Sequence, residues 1–273
     1  MDDICDWWEV VKWPDLDSID WEAAAKLDGA DKADRENYIY CVWDGCGPFE
    51  RLHALMGFEG ALMALIEEPE EVKAFLERFT EYKTKLLKYL CTYYKPDVFQ
   101  FQDDAGTNKG TFYSPATWRE LIKPVWQAEI DAIHSCGVYA ELHTCGNNTE
   151  ILVEMADTGL DSLFIQPLND LQRIREACGG KIGLNVQTTS LAYGVMLSTG
   201  SVTLEQIAEM TAQDIRTNLE SGNGYDYIPM VTPPVANVQG IGKKNTNLST
   251  TVWNAIYDNV DEWNAIMKRN LNR

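Results

Sequence analysis

A glutamate, a histidine and a cysteine alternate along one short stretch of the chain, as Glu141, His143 and Cys145. The residues before them form a predicted strand. Successive side chains of a strand point to opposite faces, so these three share one face if the strand continues that far. A carboxylate, an imidazole and a thiol are suitable ligands for a transition metal, and zinc is the best match. The sequence therefore predicts a metal site whose ligands are Glu141, His143 and Cys145.

Two adjacent carboxylates, Asp103 and Asp104, follow the preceding predicted strand. Carboxylates this close in a partly enclosed site raise the pKa of one of the pair and can separate acid from base roles. We predict Asp103 and Asp104 as catalytic residues that orient or protonate the substrate. Because a catalytic zinc takes three protein ligands, either one is also a candidate third ligand. The chain has 42 acidic residues, so a solvated acidic loop is the alternative interpretation.

Other polar residues near predicted strand ends are candidates for contacts with the substrate. We predict Gln102, Gln166 and Asn185 as substrate-binding residues. The remaining histidines are interpreted differently. His53 lies in an apolar segment, which favours a core or supporting role. His134 comes near the end of a predicted helix, where a positive charge suits the helix dipole.

Predicted strands and helices alternate along most of the chain, with a longer loop before the helix that begins at residue 203. The predicted strands cover residues 38–43, 97–102, 138–143, 162–166, 181–187 and 225–230. Helical patterns cover residues 49–65, 70–94, 114–135, 148–158, 170–178, 203–220 and 249–270. Strands that alternate with helices of this length indicate parallel βαβ units.

Parallel βαβ units close into an eight-stranded barrel or form an open sheet with helices on both faces. The open sheets that bind nucleotides carry G-x-G-x-x-G or G-x-x-x-x-G-K-[ST] turns, and neither motif occurs here. Gln100 and Gln102 alternate with Phe99 and Phe101, whereas a strand covered on both faces should be apolar throughout. Polar residues at strand ends fit the functional mouth of a barrel. The sequence thus predicts an α/β fold, a (β/α)8 TIM barrel, of which six strand-helix units are visible.

We predict a single barrel domain over residues 1–273. Residues 1–36 are rich in acidic residues and contain four tryptophans, at positions 7, 8, 13 and 21. This much apolar surface is unlike a solvated tail, so the segment is expected to pack on the barrel. Residues 37–273 carry the strand-helix repeats.

The bulk composition excludes several classes of partner. A net charge of −19 argues against nucleic acid and anionic membranes, because both require a positive surface. The chain has no apolar run near 18 residues and no basic-then-apolar leader, so we expect a cytoplasmic protein. Its seven cysteines are scattered and form no disulfide framework. Most are expected to be buried, reduced thiols.

Several motifs together resemble those of the uroporphyrinogen decarboxylase superfamily, whose members are (β/α)8 barrels. The resemblance runs from about residue 47 to residue 237. The motifs that carry it are Gly47-Pro48-Phe49-Glu50, Gly57-Phe58-Glu59, Asp103-Asp104-Ala105-Gly106, Ser114-Pro115, His143-Thr144-Cys145-Gly146-Asn147 and Gly159-Leu160-Asp161. Within the superfamily, the chain is most similar to the branch of zinc-dependent, corrinoid-linked methyltransferases.

The resemblance also bears on the metal ligands. In the methyltransferase branch the His-x-Cys-Gly element supplies two zinc ligands, which implies His143 and Cys145. A third ligand, usually a cysteine, comes from the loop after the last strand, and the corresponding loop here has no cysteine. Met230 in that loop is a neutral thioether and a poor zinc ligand. Either a carboxylate such as Glu141 or Asp103 substitutes, or the site binds metal weakly or not at all.

The activity that the resemblance implies is methyl transfer. The enzyme would use zinc as a Lewis acid and move a methyl group between a small methylated substrate or a thiol and a corrinoid (cobalamin) on a separate carrier protein. A homodimer is a further candidate assembly. One alternative is a decarboxylase-like enzyme of porphyrin metabolism. It is less favoured, because the Arg-rich N-terminal motif of the decarboxylases is missing and a charge of −19 suits an anionic tetrapyrrole badly.

Members of the family also have more residues before the stretch that matches residues 2–13. Together with the six visible units, this predicts that the first strands of the barrel are missing or are supplied by a partner. An inactive, shortened relative that serves as a binding or assembly subunit is therefore another alternative.

Overall fold

Strands and helices alternate in the computed structural model, which describes residues 1–186, 190–221 and 246–271. The strands are β1 (Cys41–Asp44), β2 (Val98–Gln102), β3 (Tyr139–Thr144), β4 (Ser162–Ile165) and β5 (Gly183–Val186). In the sheet they follow chain order, β1-β2-β3-β4-β5. β1 pairs with β2, and β2 with β3, in parallel. The predicted βαβ pattern is therefore present.

The helices range from single turns to rods of 26 residues. They are α1 (Trp7–Val10), α2 (Trp21–Leu27), α3 (Pro48–Met56), α4 (Phe58–Glu67), α5 (Pro69–Tyr94), α6 (Pro115–Thr117), α7 (Lys123–His134), α8 (Thr149–Leu152), α9 (Leu171–Cys178), α10 (Ser190–Ser198), α11 (Leu204–Ser221) and α12 (Thr246–Leu271). A π-helical turn, Trp118–Ile122, joins α6 to α7. Short 3₁₀ turns cover Ile4–Asp6, Leu16–Ser18 and Ala30–Lys32. No helix in the described ranges is long and apolar enough to cross a membrane.

Several element boundaries differ from the predicted ones for local reasons. The helical pattern of residues 49–65 is interrupted at Gly57, whose φ of +76° ends α3 and begins α4. Glycine takes this conformation without steric cost. The predicted strand 38–43 begins only at Cys41. Part of the loop predicted after β5 is helical, as α10. The predicted strand 225–230 lies outside the described residues.

The chain divides into two compact units, Met1–Ser162 and Leu163–Arg273. In the first unit α5 packs against α7. The fully buried aromatic side chains of this unit form the centre of its core, and they are Phe49, Phe75, Phe79, Phe99, Phe101, Trp118 and Trp126. Burial of such large apolar surfaces is the main favourable contribution to folding. The single barrel domain over residues 1–273 stays a prediction.

The tryptophan-rich segment at the start of the chain packs against α5. Trp21 stacks on Tyr89 with ring centroids 5.3 Å apart, and its indole Nε1 donates a hydrogen bond to the Leu16 carbonyl at 2.8 Å. Trp13 contacts Phe75 and Tyr82, with ring centroids 6.0 and 5.3 Å away. Trp7 also contacts Phe75, at 5.9 Å between ring centroids, whereas Trp8 is 65% exposed.

The second unit has a core of its own. Its buried centre is formed by Tyr193, Ile207, Leu248 and Val252. α11 packs against α12, and Arg216 of α11 forms a bidentate ion pair with Glu262 of α12 at 2.9 Å. The amphipathic patterns predicted for residues 203–220 and 249–270 are therefore used for packing between these two helices.

The register of the first three strands arranges polar side chains in layers. Gln100 lies between Trp43 of β1 and Glu141 of β3 as a register partner of both. Two residues further along, Gln102 is the partner of His143. Because the strands are parallel, the segments after β2 and β3 leave the same end of the sheet. This end carries the candidate metal ligands.

Candidate metal centre

Asp104, His143 and Cys145 form a cluster just after β2 and at the end of β3. One ligand atom from each residue can be chosen so that all three lie within 4.8 Å of one another. His143 Nε2 is 3.3 Å from Cys145 Sγ and 3.9 Å from the nearer Asp104 oxygen, Oδ1. Ligands around a tetrahedral zinc ion are separated by about 3.3–3.8 Å. The three side chains are therefore close to the spacing that a single zinc ion requires.

Backbone hydrogen bonds hold the two ligand-bearing segments together. The Asp103 N–H donates to the His143 carbonyl at 3.1 Å, which extends the β2–β3 ladder beyond Gln102. The Cys145 N–H donates to Asp104 Oδ1 at 2.8 Å. This second bond fixes the Asp104 carboxylate beside the thiol. The strand ends and the hydrogen bonds between the two following segments therefore position the candidate ligands.

Thr144 and Asn148 support the candidate ligands, and neither is among the predicted site residues. Thr144 Oγ1 accepts hydrogen bonds from the Ala105 N–H at 3.2 Å and from Asn148 Nδ2 at 3.0 Å. Asn148 Nδ2 also donates to the Cys145 carbonyl at 2.7 Å. Both residues lie within three positions of a candidate ligand in the sequence, and this proximity could have indicated a supporting role. Outer residues that orient metal ligands usually contribute to metal affinity.

Two glycines allow the two segments to approach each other. Gly146 has a φ of +92°, and a Cβ at this position would lie 2.2 Å from the Gly106 carbonyl oxygen. Any larger residue at position 146 would collide with the backbone after β2 and would also be strained. The glycine that follows Cys145 is therefore a requirement of the site's geometry.

Burial and negative charge determine the protonation of Cys145. Burial raises the pKa of its thiol to about 12, with further contributions from the charge and hydrogen bond of Asp104 and the charge of Glu50. The thiol therefore keeps its proton at neutral pH unless a cation compensates these charges. A bound divalent cation would lower the pKa of the thiol and favour the thiolate.

Asp103 points away from the cluster, although it precedes Asp104. Its side chain is fully buried. One oxygen accepts from the Glu50 N–H at 3.0 Å and the other from Trp126 Nε1 at 3.1 Å. Burial raises the pKa of this carboxyl to about 8. The structure thus separates the two predicted catalytic residues: Asp104 reaches the cluster, and Asp103 anchors the start of α3.

Glu141, predicted as a metal ligand, lies outside the cluster. Its carboxylate accepts hydrogen bonds from Gln100 Nε2 at 2.7 Å and from Ser162 Oγ at 2.8 Å. Residues two apart on a strand share a face but are separated by about 6.6 Å, so Glu141 lies one layer below His143. The cluster brings Asp104 to His143 and Cys145 as the candidate third ligand, and ligation by Glu141 stays a prediction.

The predicted substrate-binding residues are distributed over both units. Gln102 is half-buried next to His143 in the register, and its Nε2 donates to Gln100 Oε1 at 2.9 Å. Gln166 follows β4, and its carbonyl accepts hydrogen bonds from Asn169. Asn185 is a buried residue of β5. Their contacts with a substrate stay predictions.

The other two histidines lie outside the cluster, in the kinds of position predicted for them. His53, on α3, packs against Phe49 and Phe58, with ring centroids 5.6 and 6.1 Å away. His134 is the last residue of α7, and its Nε2 lies 2.8 Å from Asp161 Oδ2. Neither residue is part of the cluster formed by Asp104, His143 and Cys145.

The sequence pattern of one family matches most of the chain. The model of the family described as Uroporphyrinogen decarboxylase (URO-D) matches residues 45–219, which include the whole candidate metal centre. The chain belongs to the uroporphyrinogen decarboxylase family. The predicted fold class, an α/β barrel of this type with fewer than eight strands in the described residues, is confirmed.

Solved structures show the same fold. A methyltransferase from Methanosarcina mazei superimposes with a TM-score of 0.61 at 17% sequence identity. The match covers 87% of this chain and 63% of the methyltransferase, so the chain spans less than two thirds of that protein's length. No curated protein matches the chain.

Proposed function

We propose that the protein is a zinc-dependent methyltransferase. It would move a methyl group between a small methylated substrate or a thiol and a corrinoid (cobalamin) bound to a separate carrier protein. The observation that carries this proposal is the convergence of Asp104, His143 and Cys145 at the end of two parallel strands. Family membership and the fold shared with a methyltransferase support it.

The donor set suits zinc. A thiolate, an imidazole and a carboxylate are each established zinc ligands, and three protein ligands leave a fourth position for an exogenous group. The Asp104 side chain is 39% exposed, so the cluster is open on one side. Zinc held there would act as a Lewis acid toward a thiol or toward the heteroatom of a methyl donor.

The chain's own residues would hold and orient the reacting groups. The Cys145 N–H keeps Asp104 aligned. Thr144 and Asn148 fix the segment on which Cys145 lies. Gln102, beside His143, is the side chain best situated to orient a small substrate. Pre-alignment of this kind lowers the entropic cost of bringing the reactants together.

The partners follow from the proposed reaction. They are a small methyl donor or thiol acceptor and a corrinoid protein. We also infer a cytoplasmic location, where reduced thiols such as Cys145 persist. The net charge of −19 favours a carrier protein with a neutral or positive contact surface.

Metal analysis tests the proposal directly. Purified protein should bind about one zinc per chain, and Cys145→Ser and His143→Ala should each lose most of it, because two remaining ligands hold zinc poorly. Cys136→Ser is the matched control, since this cysteine also lies within the first unit but outside the cluster. Substoichiometric zinc that Cys145→Ser leaves unchanged would contradict the metal site.

Activity distinguishes methyl transfer from the decarboxylase-like alternative. Zinc-loaded protein should demethylate methylcobalamin in the presence of a thiol, and Cys145→Ser should not. Turnover of uroporphyrinogen that survives His143→Ala would favour the decarboxylase-like enzyme instead.

A further inference from the structure

Three buried ionisable side chains and a partly buried one form a cluster that extends from Asp103 into the interior. Lys83 of α5 is 3% exposed, and Glu129 of α7 and Asp103 are fully buried. Asp44, at the end of β1, completes the cluster. Buried charges are costly unless they are paired and hydrogen-bonded, so the hydrogen-bond partners of each group decide its charge.

Lys83 binds the last residue of β1 and the two residues that follow it. Its Nζ lies 2.6 Å from Asp44 Oδ2, 3.1 Å from the Gly45 carbonyl oxygen and 3.3 Å from the Cys46 carbonyl oxygen. A lysine ammonium has three hydrogens. Two of them bind the Gly45 and Cys46 carbonyls, and the charge is paired with Asp44; Glu129 accepts no hydrogen bond from Lys83.

Glu129 is the unusual member of the cluster. Both of its carboxyl oxygens are buried, and neither has a hydrogen-bond partner. An ionised carboxylate in this position would lack every donor that it needs, and a group in this situation is neutralised by a proton. Burial raises the pKa of Glu129 to about 8; the charge of Lys83 lowers it, and the charges of Asp103 and Asp44 raise it.

The segment that Lys83 holds covers Asp103. Cys46 has a φ of +62°, a conformation that costs a non-glycine residue energy and needs support. A Cβ on Gly47 would lie 2.3 Å from the Asp103 Cβ, so this glycine packs directly on the carboxylate's stem. The Glu50 N–H then binds Asp103 at 3.0 Å. Residues 44–50 therefore form a cover over Asp103. Lys83 holds residues 44–46 of this cover through an ion pair and two hydrogen bonds.

We propose that Glu129 is a buried proton store that controls this cover: it is neutral at neutral pH, and its ionisation in alkaline solution draws the Lys83 ammonium away from the Gly45 and Cys46 carbonyls. An ionised Glu129 needs a donor, and Lys83 is the cation whose charge acts on it. Asp44 and Asp103, the other ionisable groups that act on it, disfavour its ionisation when they are charged. A Lys83 hydrogen that turns from a carbonyl to Glu129 leaves Gly45 or Cys46 without that donor.

The proposal depends neither on a bound metal nor on methyl transfer. It assigns Glu129 and Lys83 as positioning residues, which act on Asp104 through the cover and the neighbouring Asp103. If the metal site failed its test, the cover and its pH response would still be measurable in the metal-free protein.

Amide hydrogen exchange tests the proposal. The wild type and Glu129→Gln are compared in metal-free form at pH 6.5 and pH 9, with the amides of β2 in the same sample as the internal reference. Glutamine has the shape of a neutral glutamic acid and cannot ionise. At pH 9 the amides of residues 45–50 should exchange at least about tenfold faster in the wild type than in Glu129→Gln, since local opening controls exchange. At pH 6.5 the two proteins should agree.

Two outcomes would overturn the proposal. Equal exchange of residues 45–50 in the two proteins at pH 9 would show that ionisation of Glu129 does not reach the cover. Faster exchange of Glu129→Gln at pH 6.5 would show that Glu129 is already an ionised acceptor.

The exposed Glu120 supplies the control Glu120→Gln, which should behave as the wild type at both pH values. Lys83→Met should lose protection of the cover at both pH values, and the comparison of wild type with Glu129→Gln stands even if that variant does not fold.

Discussion

Asp104 and Glu141 are both carboxylates within reach of the same strand ends, and their hydrogen-bond partners separate their roles. The Asp104 carboxylate accepts the Cys145 N–H and lies partly exposed beside His143 and the Cys145 thiol. Glu141 is held between Gln100 and Ser162. A carboxylate with two side-chain donors has less capacity for a metal ion, so we assign the third ligand to Asp104.

Paired amide substitutions test this assignment. Asp104→Asn should weaken zinc binding by more than about tenfold, since it removes an anionic ligand, whereas Glu141→Gln should change the affinity by less than about threefold. Competition with a chromophoric chelator measures both affinities. The assignment fails if Glu141→Gln is the more damaging of the two changes.

At the scale of elements, the site depends on how closely two loops approach. The segment after β3 lies against the segment after β2 through Gly146 and Gly106, and the Asn147 N–H donates to the Thr107 carbonyl at 2.7 Å. The short parallel strands fix where each loop begins, and the contact between the glycines fixes how the loops meet. Both conditions are needed for Asp104 to reach Cys145.

Substitution of Gly146 should therefore be far more damaging than substitution of another glycine in the same conformation. Gly137 also has a positive φ, of +74°, but a Cβ there meets no atom within 4 Å. Gly137→Ala should cost about 1–2 kcal/mol from backbone strain alone. Gly146→Ala adds a backbone collision and should cost at least about 1 kcal/mol more, together with a loss of zinc affinity. Urea denaturation measures the difference, and equal costs for the two variants would argue against a close approach of the loops.

At the scale of the whole molecule, two buried acids make stability depend on pH. The pKa values of Asp103 and Glu129 are raised to about 8 from ordinary values of 3.8 and 4.5, in both cases chiefly by burial. The folded protein therefore holds protons that the unfolded chain releases. The stabilising effect of the protonated Asp103 and Glu129 is complete below the pKa values that these groups have in the unfolded chain. It is lost as the pH rises toward 8.

Unfolding by urea between pH 5.5 and pH 7.5 should show this loss. Each acid contributes a decrease of at most about 1.4 kcal/mol per pH unit in the free energy of unfolding. In Glu129→Gln the free energy of unfolding should fall less steeply with pH, because the contribution of one acid is removed. This variant should be more stable than the wild type at pH 7.5. Glu129 would be ionised in the folded protein if the unfolding free energies of the wild type and Glu129→Gln changed in parallel with pH. The same would follow if Glu129→Gln were less stable than the wild type. The exposed-site variant Glu120→Gln is again the control.

Much of the architecture followed from the sequence. The alternation of strands and helices, the polar and apolar faces of β2 and the pair His143 and Cys145 are local patterns with periods of two or about 3.6 residues. Element boundaries were less accurate: the helix break at Gly57 and the π-helical turn before α7 were not predicted. Acid pairs such as Asp103 and Asp104 look equivalent in sequence, and only their surroundings distinguish them.

The sequence by itself determined the family, the α/β class and two of the three candidate metal ligands, because these depend on residue type and spacing along one segment. Only the tertiary structure places Asp104 beside His143 and Cys145, as the candidate third ligand, and holds Glu141 and Asp103 in hydrogen bonds between strands and from the start of α3. It also revealed Glu129 and Lys83, which are 46 residues apart in the chain and meet only where α5 and α7 pack. Burial and the supply of donors are properties of the folded chain, and they decide which carboxylates stay charged.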